Sequence, residues 1–173
     1  DLRPYGEGRH RNVDDKPAGG GAGMVMRADV LGRAISEVLR RRPPCPIIYM
    51  SPRGKPLTQA RTEILANGPG PVILCGRFEG IDQRVIEHFK IEEVSIGDYV
   101  LSGGELAAQV MLDCAVRLIP GVLGNEISTE QESFSNGLLE HPQYTRPPVW
   151  EDRKIPAVLM SGHHGKVAEW QKQ

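Results

Sequence analysis

The sequence predicts an α/β fold: a parallel sheet covered by helices. Three observations carry that expectation. Short apolar runs suited to buried strands alternate with segments whose apolar residues recur at helical spacing. The order is β-α-β-α-β-α, which makes the strands parallel and the crossovers right-handed. Each strand is followed by a glycine-bearing loop, where ligands bind in such sheets.

Residues 1–28 are polar and glycine-rich, and Gly19-Gly20-Gly21-Ala22-Gly23 reads as their most flexible piece. A helix is expected from an N-cap at Asp29, with Val30, Leu31, Ala34, Ile35, Val38 and Leu39 on one apolar stripe. Arg40-Arg41-Arg42 complement its negative terminus, and Pro43-Pro44 stop it. Strands follow at 46–50, 71–75 and 92–96, with helices at 57–67 and 81–89 between them, the latter capped near Asp82. A long helix at 104–119 ends at Pro120. Residues 121–150 carry prolines 142, 147 and 148 and no clear period, so they read as a linker or active-site loop. Residues 156–160 read as a short extended segment, and 164–173 as the start of a helix.

At 173 residues, 39% hydrophobic and 25% charged, the chain can bury an ordinary core. No apolar run approaches the ~20 residues of a membrane span, and no signal peptide is visible, so a soluble protein is expected. Asp1 stands first in place of Met, which implies preceding sequence. Cys45, Cys75 and Cys114 form no C-x-x-C pair, which excludes a zinc ribbon or a dense disulfide framework and fits a reduced cytoplasm. The net charge of −1 hides an asymmetry. Residues 1–61 hold 12 Lys and Arg against 6 Asp and Glu, whereas 62–173 hold 9 against 16. The basic part either faces a polyanion or attracts the acidic part, within a subunit or across a dimer.

The three strand-end loops are Ser51-Pro52-Arg53-Gly54, Gly76-Arg77-Phe78-Glu79-Gly80 and Gly97-Asp98-Tyr99-Val100-Leu101-Ser102-Gly103-Gly104. Glycine lets main-chain groups approach a ligand closely, so three such loops together point to a small-molecule site. Neither G-x-G-x-x-G after a strand nor G-x-x-x-x-G-K-[ST] is present. With Asp98 and Glu105 and no Lys or Arg, the third loop suits a neutral or cationic ligand better than a triphosphate. Spacing alone does not name that ligand.

Val13-Asp14-Asp15 followed by Gly19 to Met24, then Cys75 to Asp82, resemble the bacterial tRNA (guanine-N1)-methyltransferase family. So do Ser95-Ile-Gly-Asp-Tyr-Val-Leu-Ser-Gly-Gly-Glu-Leu106, Ile119 to Gly124 and His141-Pro-Gln-Tyr-Thr-Arg-Pro147. The likeness runs in order over nearly the whole chain. It implies a SPOUT-type α/β domain with a C-terminal trefoil knot, a homodimer with each active site at the interface, and S-adenosyl-methionine bound in the knot. The implied reaction is methylation of N1 of guanine 37 in tRNA, beside the anticodon.

Carried over by motif, the cofactor cradle comprises Tyr49, Met50, Ser51 and Pro52, then Gly76, Glu79 and Gly80. The third loop adds Ile96, Gly97, Asp98, Tyr99, Val100, Leu101, Gly103 and Gly104. Removing the N1 proton moves negative charge onto O6, so the reaction needs a base and an electrophilic partner. Arg117 matches the family's arginine on the long helix and is the O6 candidate that the resemblance implies; a guanidinium fork stays charged and fits a guanine edge. The family's base is an aspartate before Ser-Phe. Here Glu132 precedes Ser133-Phe134, keeping the carboxylate and extending its reach by one methylene. The family implies Mg2+, with Glu79 or Glu132 as contacts, although no metal motif stands in the sequence, and His163-His164 read as linker surface. Ala18 stands where the family usually has an aromatic residue. The implied organisation is a cofactor domain at 1–120 lacking the family's first strand and helix, a linker at 121–150, and the start of a truncated tRNA-binding helical domain at 151–173. A knotted ribose 2′-O-methyltransferase and a non-catalytic RNA-binding module remain as alternatives.

Overall fold

The structure is a computed structural model that describes residues 1–123, 133 and 139–172. It divides into two compact units, Asp1–Gly124 and Asn125–Gln173.

The first unit is a three-layer α/β/α sandwich around a parallel sheet. Its strands are β3 (Ile47–Pro56), β4 (Val72–Cys75) and β5 (Glu92–Ser95), in the order β4-β3-β5. β3 is central: Ile47 to Met50 lie opposite Val72 to Cys75, and Ile48 to Met50 opposite Glu92 to Val94. Alternation along β3 divides the core. Ile47 and Tyr49 join Leu31 and Ile35 of α1 (Ala28–Arg40) and Val85 of α3 (Gln83–Phe89) on one face. Ile48 and Met50 join Leu65 of α2 (Gln59–Ala66) and Ala107, Ala108, Met111 and Ala115 of α4 (Glu105–Val116) on the other. Side chains of a strand point alternately to opposite faces, so one short run serves both layers. Ile48, Leu31 and Met111 are almost wholly buried.

Local chemistry sets the boundaries. Thr58 caps α2, its hydroxyl accepting from the Arg61 N–H at 3.3 Å. Asp82 caps α3, accepting from the Arg84 N–H at 2.9 Å, as its sequence position suggests. The Arg61 guanidinium also reaches Glu92, with Nε 2.9 Å from Oε1, tying α2 to β5.

Several details correct the sequence reading. α1 begins at Ala28 with Arg27 as its N-cap, because the Asp29 carboxylate is taken by the Arg27 guanidinium at 2.9–3.0 Å. The segment ahead of it holds a small antiparallel pair, β1 (Asp14–Asp15) with β2 (Val25–Met26). β3 runs on to Pro56 rather than ending at Met50. Met50 and Lys55 both stand opposite Val94, so Ser51 to Gly54 arch out between two pairings on the same residue. Gly54 is required there, since a Cβ would come within 2.6 Å of the Glu93 carbonyl oxygen.

In the second unit, β6 (Val149–Trp150) pairs antiparallel with β7 (Arg153–Lys154) across Glu151 and Asp152, both left-handed, the conformation a two-residue type I′ turn requires. Residues 157–160 form a 3₁₀ turn rather than an extended segment, closed by the Leu159 N–H on the Pro156 carbonyl at 3.0 Å. α5 (His164–Trp170) follows, and the Trp170 ring lies 5.8 Å from His141 and 6.0 Å from Tyr144, centroid to centroid.

Candidate functional site

The sheet makes the site before any side chain acts. From β3 the chain crosses to β4 on one side, then back to β5 on the other. This order reversal opens a crevice beyond the carboxyl ends of β3 and β5. A cleft of ≈ 320 Å³ occupies it, a size within the range of small-molecule sites.

All three glycine loops line this cleft. Tyr49, Met50, Ser51 and Pro52 come from β3 and its arch; Gly76, Glu79 and Gly80 follow β4. Ile96, Gly97, Tyr99, Val100, Leu101, Gly103 and Gly104 follow β5. The second and third loops are joined by the Gly104 N–H donating to the Gly76 carbonyl at 3.0 Å. Asp98 is the exception among the cradle residues. It is exposed and absent from the lining, at the apex of a turn closed by the Tyr99 N–H on the Gly97 carbonyl at 2.9 Å.

The lining also includes charged groups that the motif reading passed over. Arg53, Arg77, Glu93 and the aromatic Phe78 face the cleft. Phe78 is left-handed at φ 61° and 59% exposed, a strained conformation of the kind found at ligand sites. The Arg77 guanidinium pairs with Glu105 at 2.9 Å. The Glu105 carboxyl is held below its usual range, first by its own N–H at the start of α4 and then by Arg77. Glu79 and Glu93 make no ion pair among the described residues, so free carboxylates outnumber the one unpaired guanidinium, Arg53. The cleft therefore combines an apolar lining with a small excess of carboxylates, which suits a ligand with a cationic centre. Burial pushes the Tyr49 hydroxyl up, with Glu93 adding to the shift. Burial likewise pushes the Cys75 thiol up, leaving a neutral packing group rather than a nucleophile.

The end of the glycine-rich segment leads into a strand fixed to the second loop. Met24 to Met26 run beside the second loop. The Glu79 N–H donates to the Met24 carbonyl at 3.0 Å, the Met26 N–H to the Gly80 carbonyl at 2.9 Å, and the Asp82 N–H to the Met26 carbonyl at 3.1 Å. Gly23, at φ +80°, lies directly against Glu79; a Cβ there would sit 2.8 Å from the Glu79 Cδ and closer still to Cγ and Oε1. Gly23 thus gives the Glu79 side chain its seat.

Of the two residues expected to do chemistry, Arg117 alone is among the described ones. Arg117 is half-buried at the carboxyl end of α4 and does not line the cleft. It lies about 20 Å further along α4 than Gly104, at about 1.5 Å of rise per residue. Glu132 and Phe134 fall outside the described residues. Among the described residues no group of three His, Cys, Asp or Glu side chains gathers to hold a metal. No helix among them is long and apolar enough to cross a membrane.

Comparison with known proteins bears on this arrangement. The chain is 64% identical over 173 residues to a tRNA (guanine-N(1)-)-methyltransferase of Ruegeria pomeroyi, covering 99% of this chain and 71% of that relative. It is 66% identical over 171 residues to the protein of that name from Roseobacter denitrificans, covering 98% and 71%. It is 63% identical over 172 residues to the one from Mesorhizobium japonicum, covering 99% and 74%. The family described as tRNA (Guanine-1)-methyltransferase TrmD matches residues 1–173, and the chain belongs to that family.

Proposed function

We propose that this chain is an S-adenosyl-methionine-dependent methyltransferase acting on N1 of guanine 37 in tRNA. The observation that carries the reading is the cleft itself. Three loops of one sheet converge there, with apolar residues and unpaired carboxylates for a ligand that combines an adenine ring with cationic sulfonium and ammonium groups. Family membership supplies the methyl-transfer chemistry and the tRNA guanine.

When bound, the cofactor supplies an electrophilic methyl group. Met50, Ile96 and Leu101 would give the adenosine apolar contact, and Glu79, seated by Gly23, would supply a carboxylate for its cationic groups. Glu132 would take the guanine N1 proton, leaving N1 free to accept that methyl group. Arg117 stabilises the negative charge that deprotonation places on O6.

An Arg117 one helix length from its own cleft fits a site completed by a second copy. α4 leaves Leu106, Val110, Leu112 and Val116 at least 43% exposed, an apolar surface for a homodimer contact. The reading includes a trefoil knot in the cofactor domain, cytoplasmic location, a linker over 121–150 and the beginning of a tRNA-binding helical domain at 151–173.

Single-turnover methylation of a tRNA transcript followed by nucleoside analysis tests the proposal. N1-methylguanine at position 37 is expected, with Glu132→Gln nearly inactive and Glu132→Asp matching or exceeding the unaltered rate. Methylation of a ribose hydroxyl, or cofactor binding with no methyl transfer, would overturn it.

A further inference from the structure

The basic character of the amino-terminal part has a definite shape. Residues 6–12 form a tight hairpin outside the cleft. The Glu7 N–H donates to the Asn12 carbonyl at 3.0 Å and the Asn12 N–H to the Glu7 carbonyl at 2.9 Å. Inside this stem the Arg11 N–H donates to the Gly8 carbonyl at 3.2 Å, and Arg11 is held left-handed at φ 52°. A second set of bonds fixes the hairpin to α1. The Arg33 guanidinium donates to the Tyr5 carbonyl at 2.6 Å and to Glu7 at 2.7 Å, and the Tyr5 hydroxyl donates to Glu37 at 2.8 Å.

These bonds sort the charges. The acids at the base are taken: Glu7 by Arg33, Glu37 by Tyr5 and Arg41, Asp29 by Arg27. At the tip, Arg9, His10 and Arg11 are exposed and make no ion pair among the described residues. A solvated charge run would sit on a mobile loop or beside neutralising carboxylates. Here a hydrogen-bonded turn presents adjacent cations, and the acids that anchor its base are already paired, so binding a polyanion costs little ordering entropy.

We propose that residues 6–12 are a preformed cationic finger that grips the ribose-phosphate backbone of the tRNA substrate. The proposal rests on the tRNA reading above and adds a contact surface separate from the cofactor cleft. The finger supplies affinity and register rather than base recognition, since phosphate contacts carry no sequence information directly.

Filter binding of a tRNA transcript to the unaltered chain and to an Arg9→Gln/Arg11→Asn variant, at several salt concentrations, tests it. Asn tolerates the left-handed backbone at position 11. The variant is expected to bind more weakly, with a plot of log K against log salt shallower by about 1.4–1.8, the loss of two phosphate contacts. Calorimetric affinity for S-adenosyl-methionine and the melting temperature should stay unchanged. Arg9→Glu, at a position without a left-handed backbone, is a second arm and should weaken tRNA binding further than neutralising Arg9 alone. Unchanged slope and affinity in both variants would overturn the finger while leaving the tRNA reading intact. Loss of binding to phosphatidylserine vesicles with tRNA binding unchanged would also overturn it. No tRNA binding by the unaltered chain at any salt would overturn both.

Discussion

The two units differ in how they hold themselves together. Every buried residue among those described lies in Asp1–Gly124, and Asn125–Gln173 contributes none. In the first unit a central strand feeds two apolar layers, and the cleft inherits its shape from that sheet. The second holds a two-residue hairpin, a 3₁₀ turn and a short helix whose Trp170 ring lies near His141 and Tyr144. The difference teaches where preorganisation resides. The wall expected to hold the cofactor is fixed by the core, whereas the segment expected to carry Glu132 belongs to a unit without one among its described residues.

The sharpest way to break this contrast is through the core. Ile48→Ala removes a wholly buried side chain that belongs to the α2 and α4 layer. It should lower stability by about 2–5 kcal/mol, whereas Trp170→Ala should leave the main melting transition of the chain unmoved. Thermal melting reads both, and equal losses would mean that the units unfold as one. Next in size is the division of labour between binding and chemistry. Arg117→Ala should reduce methyl transfer about a hundredfold or more while calorimetric cofactor affinity holds; a variant keeping more than half the rate would remove Arg117 from the chemistry.

A smaller effect probes the wall itself. Gly23→Ala forces a side chain into a left-handed conformation, at about 1–2 kcal/mol, and pushes it into Glu79. Cofactor affinity should fall about tenfold. The fall should be smaller in a Glu79→Ala background, where the clash is gone and only the backbone cost remains. Equal losses in the two backgrounds would show that Gly23 does not act through Glu79. The smallest effect concerns acid. Asp82 is held below its ordinary 3.8 chiefly by Arg84, Asp29 chiefly by Arg27, and Glu37 below its ordinary 4.5 chiefly by Tyr5. A depressed carboxyl contributes stability above its unfolded value and loses it as pH falls through the lower folded value. The melting temperature should therefore be level down to about pH 5 and decline below about pH 4. The drop is modest because these pairs are solvent-exposed.

The sandwich was legible because Ile47 to Met50, Val72 to Cys75 and the helical stripe of α1 each carry a clean period. The arch of β3 was not, since Pro52, Arg53 and Gly54 look like the end of a strand and only tertiary pairing with Val94 shows that it resumes. β1 and β2 were invisible for a related reason: two residues give no period, and the segment around them is polar. The cleft lining was legible because its glycines follow strands in order. The ion pair of Arg77 with Glu105, the turn that carries Asp98 out of the lining and the contact of Gly23 with Glu79 join residues far apart in sequence or depend on a local fold, which no spacing rule encodes. Arg117 was found by motif, yet its distance from the cleft follows only from the length of α4.

The arch at Ser51 to Gly54 also limits how this protein can diverge. Both of its feet stand on Val94, so the sheet fixes where the loop leaves and where it returns. Exchanges at Pro52 or Arg53 alter the cleft surface without moving either foot. An insertion or deletion of one residue would turn every later side chain of β3 to the opposite face or drag Gly54 off the β5 backbone. Grafting a longer loop here is therefore expected to be tolerated less well than single replacements at Pro52 or Arg53.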